Sequence, residues 1–252
     1  MLRVVVVHPD LLGTYGDGGN ATVLVKRAQW RGIDAELVQA PSHSRLPEGE
    51  IYCLGGGEDG PQERSAQILR EEGVLKSMVD DGAVLLAVCA GFQIAGNEFP
   101  GAGGIAARGL GIFDAITTKG AGRRAVGEVL VEPLDGIDIP LLTGFENHRG
   151  ATRLGRGTRA LGRVVHGVGN SREGRSEGAM GERAIGTYLH GPVLARNPGV
   201  ADILLTWALG DSSRELITPI DDREVEILRE ERIGSFRGKW TRRLRRNEDA
   251  YR

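Results

Sequence analysis

Apolar residues cluster in two different rhythms along this chain. In the first half, Val4 to Val7 run without alternation, the pattern of a strand covered on both faces of a parallel sheet; this strand, read as Arg3 to Val7, stops at His8-Pro9. A Gly- and Asp-rich turn, Leu11 to Asn20, leads to a helix over Ala21 to Arg31, with Val23, Leu24 and Ala28 at helical spacing and Gly32 as its stop. Ile33 to Val38 and Ile51 to Leu54 read as further strands, the second running straight into Gly55-Gly56-Gly57. Pro61 to Glu72 and Val74 to Asp80 read as amphipathic helices, and Ala83 to Val88 is the most continuously apolar stretch of the chain. Strands alternating with helices predict a three-layer α/β fold, a mostly parallel sheet flanked by helices.

Glycines at 96, 101, 103, 104, 109 and 111 then predict a loop. Beyond it the period shortens. Gly127 to Glu132, Leu141 to Phe145, Arg163 to Val168 and Ala184 to Leu189 read as short strands joined by Gly, Pro and Asn turns, a β-rich and partly antiparallel extension of the sheet. Val200 to Leu209 closes the domain as a helix, so the reading places one domain over residues 1–210 and a charged tail over 211–252. That tail holds a helix candidate, Asp222 to Ile233, followed by the basic run Arg237 to Arg246.

Composition narrows the function classes. Lys and Arg number 32 against 34 acids, a formal charge of −2 over 252 residues, so no global field draws the chain to nucleic acid or to an anionic membrane. No stretch approaches the ~18 apolar residues of a membrane span, and the N-terminal apolar run is too short for a signal sequence, so a cytoplasmic protein with no integral membrane segment is expected. Cys53 and Cys89 do not form a C-x-x-C pair, which argues against a disulfide framework or a metal centre.

Three features carry candidate chemistry. Cys89 follows a fully apolar strand and precedes the helix start Ala90-Gly91-Phe92-Gln93, the position of a nucleophile elbow, where small neighbours such as Ala87, Ala90 and Gly91 tolerate a strained turn. The helix N-terminus beyond it favours a thiolate, although a cysteine ending a buried strand is also an ordinary core residue. The glycine run can direct backbone N–H groups of Gly56 and Gly57 into the crevice above the sheet, where they would join the N–H of Ala90 as an oxyanion hole; a plain glycine turn reads the same way. His190, before Gly191-Pro192, ends a strand where it can reach the same crevice and act as acid and base, with His8, His43, His148 and His166 as competitors.

The ordered set Gly55-Gly56-Gly57-Glu58-Asp59, Ala87-Val88-Cys89-Ala90-Gly91-Phe92-Gln93 and Gly186-Thr187-Tyr188-Leu189-His190-Gly191-Pro192 resembles class I glutamine amidotransferases of the cobyric-acid-synthase-like branch, which share a flavodoxin-like fold. More narrowly, Tyr15-Gly16-Asp17-Gly18-Gly19-Asn20, Gly109-Leu110-Gly111 and Gly144-Phe145-Glu146-Asn147-His148 resemble the GatD-type glutaminase subunits of lipid II isoglutaminyl synthases. The resemblance implies that Cys89 and His190 hydrolyse L-glutamine through a glutamyl thioester. It also implies an arginine for the substrate carboxylate, Arg124 with Arg123 as the alternative, and it makes Gln93 a further substrate-binding candidate. The carboxylate that commonly follows the histidine is replaced here by Gly191-Pro192, which leaves Glu146 as a guess for the group orienting His190. No cofactor is expected on this chain. ATP and Mg are expected on a MurT-like Mur ligase family partner that amidates the D-glutamate α-carboxylate of the lipid II stem peptide. Rival readings are a glutaminase subunit of another biosynthetic pathway, such as cobyric-acid-type cofactor synthesis, and a flavodoxin-like binding module whose cysteine is structural.

Overall fold

The computed structural model describes residues 1–249 apart from 15, 135, 137, 138 and 211–214, with side chains described as far as Phe236. Tyr15 of the segment quoted above therefore lies outside the described residues. In chain order the first half comprises β1 (Leu2–Val7), α1 (Gly19–Gln29), β2 (Ala35–Ala40), β3 (Ile51–Leu54), α2 (Asp59–Glu72), α3 (Val74–Asp80), β4 (Val84–Val88) and α4 (Ala90–Ala95). Then follow β5 (Glu98–Pro100), β6 (Ala106–Arg108), β7 (Ala115–Lys119), β8 (Ala125–Pro133), β9 (Leu142–His148), β10 (Gly150–Leu154), β11 (Gly162–His166), β12 (Ser176–Glu177), β13 (Ala179–Met180) and β14 (Ala184–Thr187). Helices α5 (Val193–Arg196), α6 (Pro198–Leu209) and α7 (Arg223–Asp249) complete the chain.

The main sheet has the order β13-β14-β4-β3-β1-β2. Its five strands from β14 to β2 are parallel, and β13 alone is antiparallel. Strands β3, β4 and β14 are buried at every position, which explains their unbroken apolar sequences: helices cover both faces, so no face calls for polar residues. The helices pack in two groups, α1 with α5 and α6, and α2 with α3 and α4, as a sheet flanked on both sides requires. Register aligns Val7, Leu54, Ala87 and Gly186 in one row across the sheet. The segments that follow these four residues all emerge at the carboxyl edge, where ligands of open parallel sheets bind.

The β-rich half departs from its expected place. Of its strands only β14 and the antiparallel β13 extend the main sheet, whereas the remaining strands form two separate four-stranded sheets, β10-β7-β5-β6 and β12-β11-β8-β9. Its longer strands show mixed burial, as in the buried-exposed alternation of β7 and β11, and they pair antiparallel with one another. The glycine-rich stretch read as a loop contains the strands β5 and β6, which pair Glu98 with Arg108 and Pro100 with Ala106. Three-residue strands are too short to show a period, so nothing in the apolar pattern announces them. Strands β7 and β10, absent from the sequence reading, form a regular antiparallel pair from Ala115↔Leu154 to Lys119↔Gly150.

Contacts along the chain fall into two units, residues 1–219 and 220–252. The first runs through Pro219, and the second holds the charged helix α7. No helix among the described residues is long and apolar enough to cross a membrane.

Helix α4 lies against the ends of the strands because Gly91 has no side chain. A Cβ there would sit 2.2 Å from the carbonyl oxygen of Leu54 in the central strand β3, and Gly91 N–H donates to Gly55 O at 3.0 Å. Gly91→Ala is expected to destabilise the protein by about 1–3 kcal/mol through overpacking against backbone. Chemical denaturation checks this, and an unchanged midpoint would show that α4 can lift away without cost.

Candidate active site

The site begins with a backbone constraint. Cys89 still belongs to the sheet, since its N–H donates to Thr187 O at 2.8 Å, yet its carbonyl already accepts the first turn of α4 from Gln93 N–H at 3.1 Å. Satisfying both forces φ 54° and ψ −106°, a left-handed conformation that an L side chain adopts only under strain, of order 1–3 kcal/mol. Such strain holds the thiol in one place at the top of β4. The other cysteine, Cys53, lies within β3, and burial pushes its thiol up to about 12, as suits an inert core residue.

His190 arrives from the other side. Three residues beyond β14 its backbone pairs with Phe145 of β9, with His190 N–H donating to Phe145 O at 2.9 Å and Phe145 N–H to His190 O at 3.1 Å. Its side chain lies close enough to Cys89 for the two groups to interact electrostatically, so the thiol and the imidazole do meet over one sheet edge. The group that orients the ring is Asp17. His190 Nδ1 donates to the Asp17 carboxylate, at 3.2 Å from Oδ1 and 3.1 Å from Oδ2, and both residues are almost wholly buried. With Nδ1 committed to the carboxylate, proton exchange with the thiol falls to Nε2. Burial opposes charge on the ring, but the hydrogen bonds to Asp17 and the interaction with Cys89 outweigh that, and the imidazole is pushed up to about 10 from 6.5.

The glycine run serves Asp17. A Cβ on Gly55 would lie 2.4 Å from Leu12 O and 3.3 Å from Asp17 Cβ, so glycine there lets the turn after β1 close onto the end of β3. Gly56 N–H then donates to Asp17 Oδ2 at 2.9 Å. This corrects the reading of Gly56 as an oxyanion donor, because its N–H clamps the carboxylate instead. Gly57, one residue on, is half-buried, and Ala90 is the first residue of α4, where no intrahelical acceptor exists for its N–H.

Two other readings change. Gln93 is buried and both ends of its amide are engaged inside the protein: Oε1 accepts from Gln62 Nε2 at 3.0 Å, and Nε2 donates to Tyr188 Oη at 3.2 Å. It is an internal strut, linked through Tyr188 to Thr152 and Thr117, and not a substrate ligand. Glu146 is no partner of His190. It accepts the N–H groups of Val168 and Gly169, each at 2.9 Å, because successive residues of β9 face opposite ways and Phe145 is the one paired with His190.

Arg124 stands exposed at the entry to β8, with Nε donating to Asn147 Oδ1 at 2.5 Å and Nη2 to Asn147 O at 3.0 Å. Asn147 lies two residues along β9 from Phe145, so this guanidinium is tied to the strand that pairs with His190. The Arg123 carbonyl accepts from Arg172, and its side chain lines a small cavity with His148 and Arg149.

Asp17 is the residue that sequence reasoning missed. A signal existed, since it is an acid between two glycines in the turn after the first strand of a parallel sheet, but that segment reads as a turn and as part of a resemblance, with no chemistry assigned to the acid.

A thiol on a strained strand-to-helix turn, paired with a carboxylate-held imidazole above a parallel sheet, defines the class of cysteine-dependent hydrolases to which class I glutamine amidotransferases belong. Residues 3–198 match the CobB/CobQ-like glutamine amidotransferase domain, and the chain belongs to that family. It is 35% identical over 221 residues to the lipid II isoglutaminyl synthase (glutamine-hydrolysing) subunit GatD of Staphylococcus aureus, covering 86% of this chain and 88% of that one. Against the GatD subunit of Streptococcus pneumoniae the figures are 34% over 212 residues, 82% and 80%. A solved glutamine amidotransferase shares the fold with TM-score 0.55 and 23% identity, over 82% of this chain and 99% of the other. The chain is thus a glutamine amidotransferase with the parallel-rich α/β fold of its class.

The raised imidazole links the site to stability. Because its folded-state value, about 10, lies above the ordinary 6.5, the His190–Asp17 pair contributes fully below pH 6.5 and its contribution is lost as pH rises through 10. The gap in melting temperature between the wild type and Asp17→Asn is therefore expected to be widest near pH 6 and to close toward pH 10. A gap that widens with pH would mean that the ring is neutral in the folded protein.

Proposed function

We propose that this chain is the glutaminase subunit of a lipid II isoglutaminyl synthase, releasing ammonia that a Mur-ligase-like partner attaches to the D-glutamate α-carboxylate of the stem peptide. The observation that carries the chemistry is the juxtaposition of Cys89, His190 and Asp17 at one sheet edge. The names of the two GatD relatives support the pathway, and both describe a subunit of a glutamine-hydrolysing synthase. ATP and Mg then act on the partner.

In the proposed reaction the sulfur of Cys89 attacks the carboxamide carbon of L-glutamine, and the oxyanion is met by the N–H of Ala90 with that of Gly57. A protonated His190 gives its proton to the departing nitrogen, so the C–N bond breaks, ammonia leaves and a glutamyl thioester remains. Water attacks that thioester while His190 takes a proton from it; the C–S bond breaks and glutamate is released. Asp17 holds the ring in the tautomer that presents Nε2 and stabilises its positive charge. Arg124, oriented by Asn147, pairs with the α-carboxylate of glutamine.

Glutamate release by purified chain, alone and co-expressed with the Mur-ligase-like partner, tests this. Cys89→Ser and His190→Ala are expected to abolish it, and Asp17→Asn to lower kcat by roughly 10²-fold or more. Normal release by Cys89→Ser would falsify the mechanism. Arg124→Ala is expected to raise KM for glutamine by roughly 10- to 100-fold, the loss of a charged hydrogen-bonded contact, with kcat little changed. An unaltered KM would assign the carboxylate to another residue.

A further inference from the structure

The ladder between β14 and β4 ends at Thr187↔Val88, three residues short of His190. Tyr188 and Leu189 carry the chain across this gap in the fully buried core, where their N–H groups need acceptors that no neighbouring strand supplies. Two linked side chains meet the need. Glu177 Oε1 accepts Tyr188 N–H at 2.7 Å and the Thr187 hydroxyl at 2.9 Å, and the Thr187 oxygen in turn accepts Leu189 N–H at 3.0 Å. Thr187 is also the residue whose carbonyl receives the Cys89 N–H at 2.8 Å. The chain of contacts from Glu177 thus reaches the thiol through the backbone of Thr187 and the imidazole through Tyr188 and Leu189.

Glu177 is well anchored for such a task. It lies in β12, paired with Gly162 of β11, and its carbonyl accepts Leu161 N–H at 3.0 Å. It is 0% exposed, and its second carboxylate oxygen has no hydrogen-bond partner among the described residues. A buried carboxyl group half of which is unpaired is costly, so its place here calls for a reason beyond filling space.

We propose that Glu177 is a positioning residue that sets the separation and alignment of Cys89 and His190, by fixing the path of Thr187, Tyr188 and Leu189 between them. The functional meaning rests on the glutaminase reading above, whereas the physical coupling does not. Small displacements of reacting groups are enough to matter, since about 1 Å can cost roughly 10²-fold in rate.

The test uses full-length chain in three variants. Glu177→Ala removes the acceptor, Thr187→Val keeps the volume of residue 187 but removes the relay, and Glu177→Gln keeps an oxygen that accepts the same bonds. The first readout is glutaminase kinetics; the second, independent of activity, is the downfield proton resonance of His190 Nδ1–H, assigned by its loss in Asp17→Asn. The expected result is a kcat lowered roughly 10²-fold at unchanged KM in Glu177→Ala and Thr187→Val, with the resonance shifted or lost, and restoration of both in Glu177→Gln. Should Glu177→Ala fail to fold, Thr187→Val alone decides. Wild-type kcat and an unmoved resonance in Thr187→Val, even with a lower melting temperature, overturn the proposal. Failure of the glutaminase reading is recognised separately, by undiminished glutamate release from Cys89→Ser, and leaves the resonance experiment intact.

Discussion

The structure of this chain turns on a buried hydrogen bond between two residues 173 positions apart, the imidazole of His190 and the carboxylate of Asp17. Neither group is stable alone at such depth: removing one partner of a buried charged pair typically costs about 3–5 kcal/mol. Each must therefore be delivered to the other by elements that cannot drift. Asp17 is delivered by the turn after β1 and seated on Gly56 N–H, and His190 is delivered by β14 and clasped by the backbone of Phe145. Parallel strands in register bring both turns to the same edge, and Cys89 rises between them.

The two halves of the chain divide this work. The main sheet, buried at every position of β3, β4 and β14, supplies the platform and the strained turn at Cys89. One of the smaller sheets, β12-β11-β8-β9, supplies the frame around His190, through Phe145 of β9 and Glu177 of β12. A third tie follows the histidine directly, where Arg196 of α5 forms a bidentate ion pair with Glu128 of β8 at 2.8 and 2.9 Å. That frame has its own polar interior. The row of Gln62, Gln93, Tyr188, Thr152 and Thr117 is linked by hydrogen bonds, with His148 stacked on the ring of Tyr188 at 3.8 Å between centroids. Polar groups so buried are tolerated because they satisfy one another, and their directional bonds fix geometry more sharply than apolar contacts can.

Much of this was legible in one dimension. Unbroken apolar runs marked the inner strands of the parallel sheet because those strands are covered on both faces, and glycines marked the turns. The strand-to-helix junction at Cys89 could be located because small residues around a cysteine are a local requirement of a local strain. The three-residue strands of the glycine-rich stretch, and the separation of the β-rich half into its own sheets, were not legible, since pairing between short strands is decided by partners distant in sequence.

What the amino-acid sequence determined by itself was everything set by near neighbours: the α/β platform, the elbow at Cys89, and a histidine at the end of the last parallel strand. Which acid holds that histidine, and what each glycine N–H does, only the folded chain decided. On paper Glu146 was the acid named for that place and Asp17 was not, and Gly56 looked like a donor for substrate. The reason is physical, because a hydrogen bond extends about 3 Å in space and carries no record of separation along the chain.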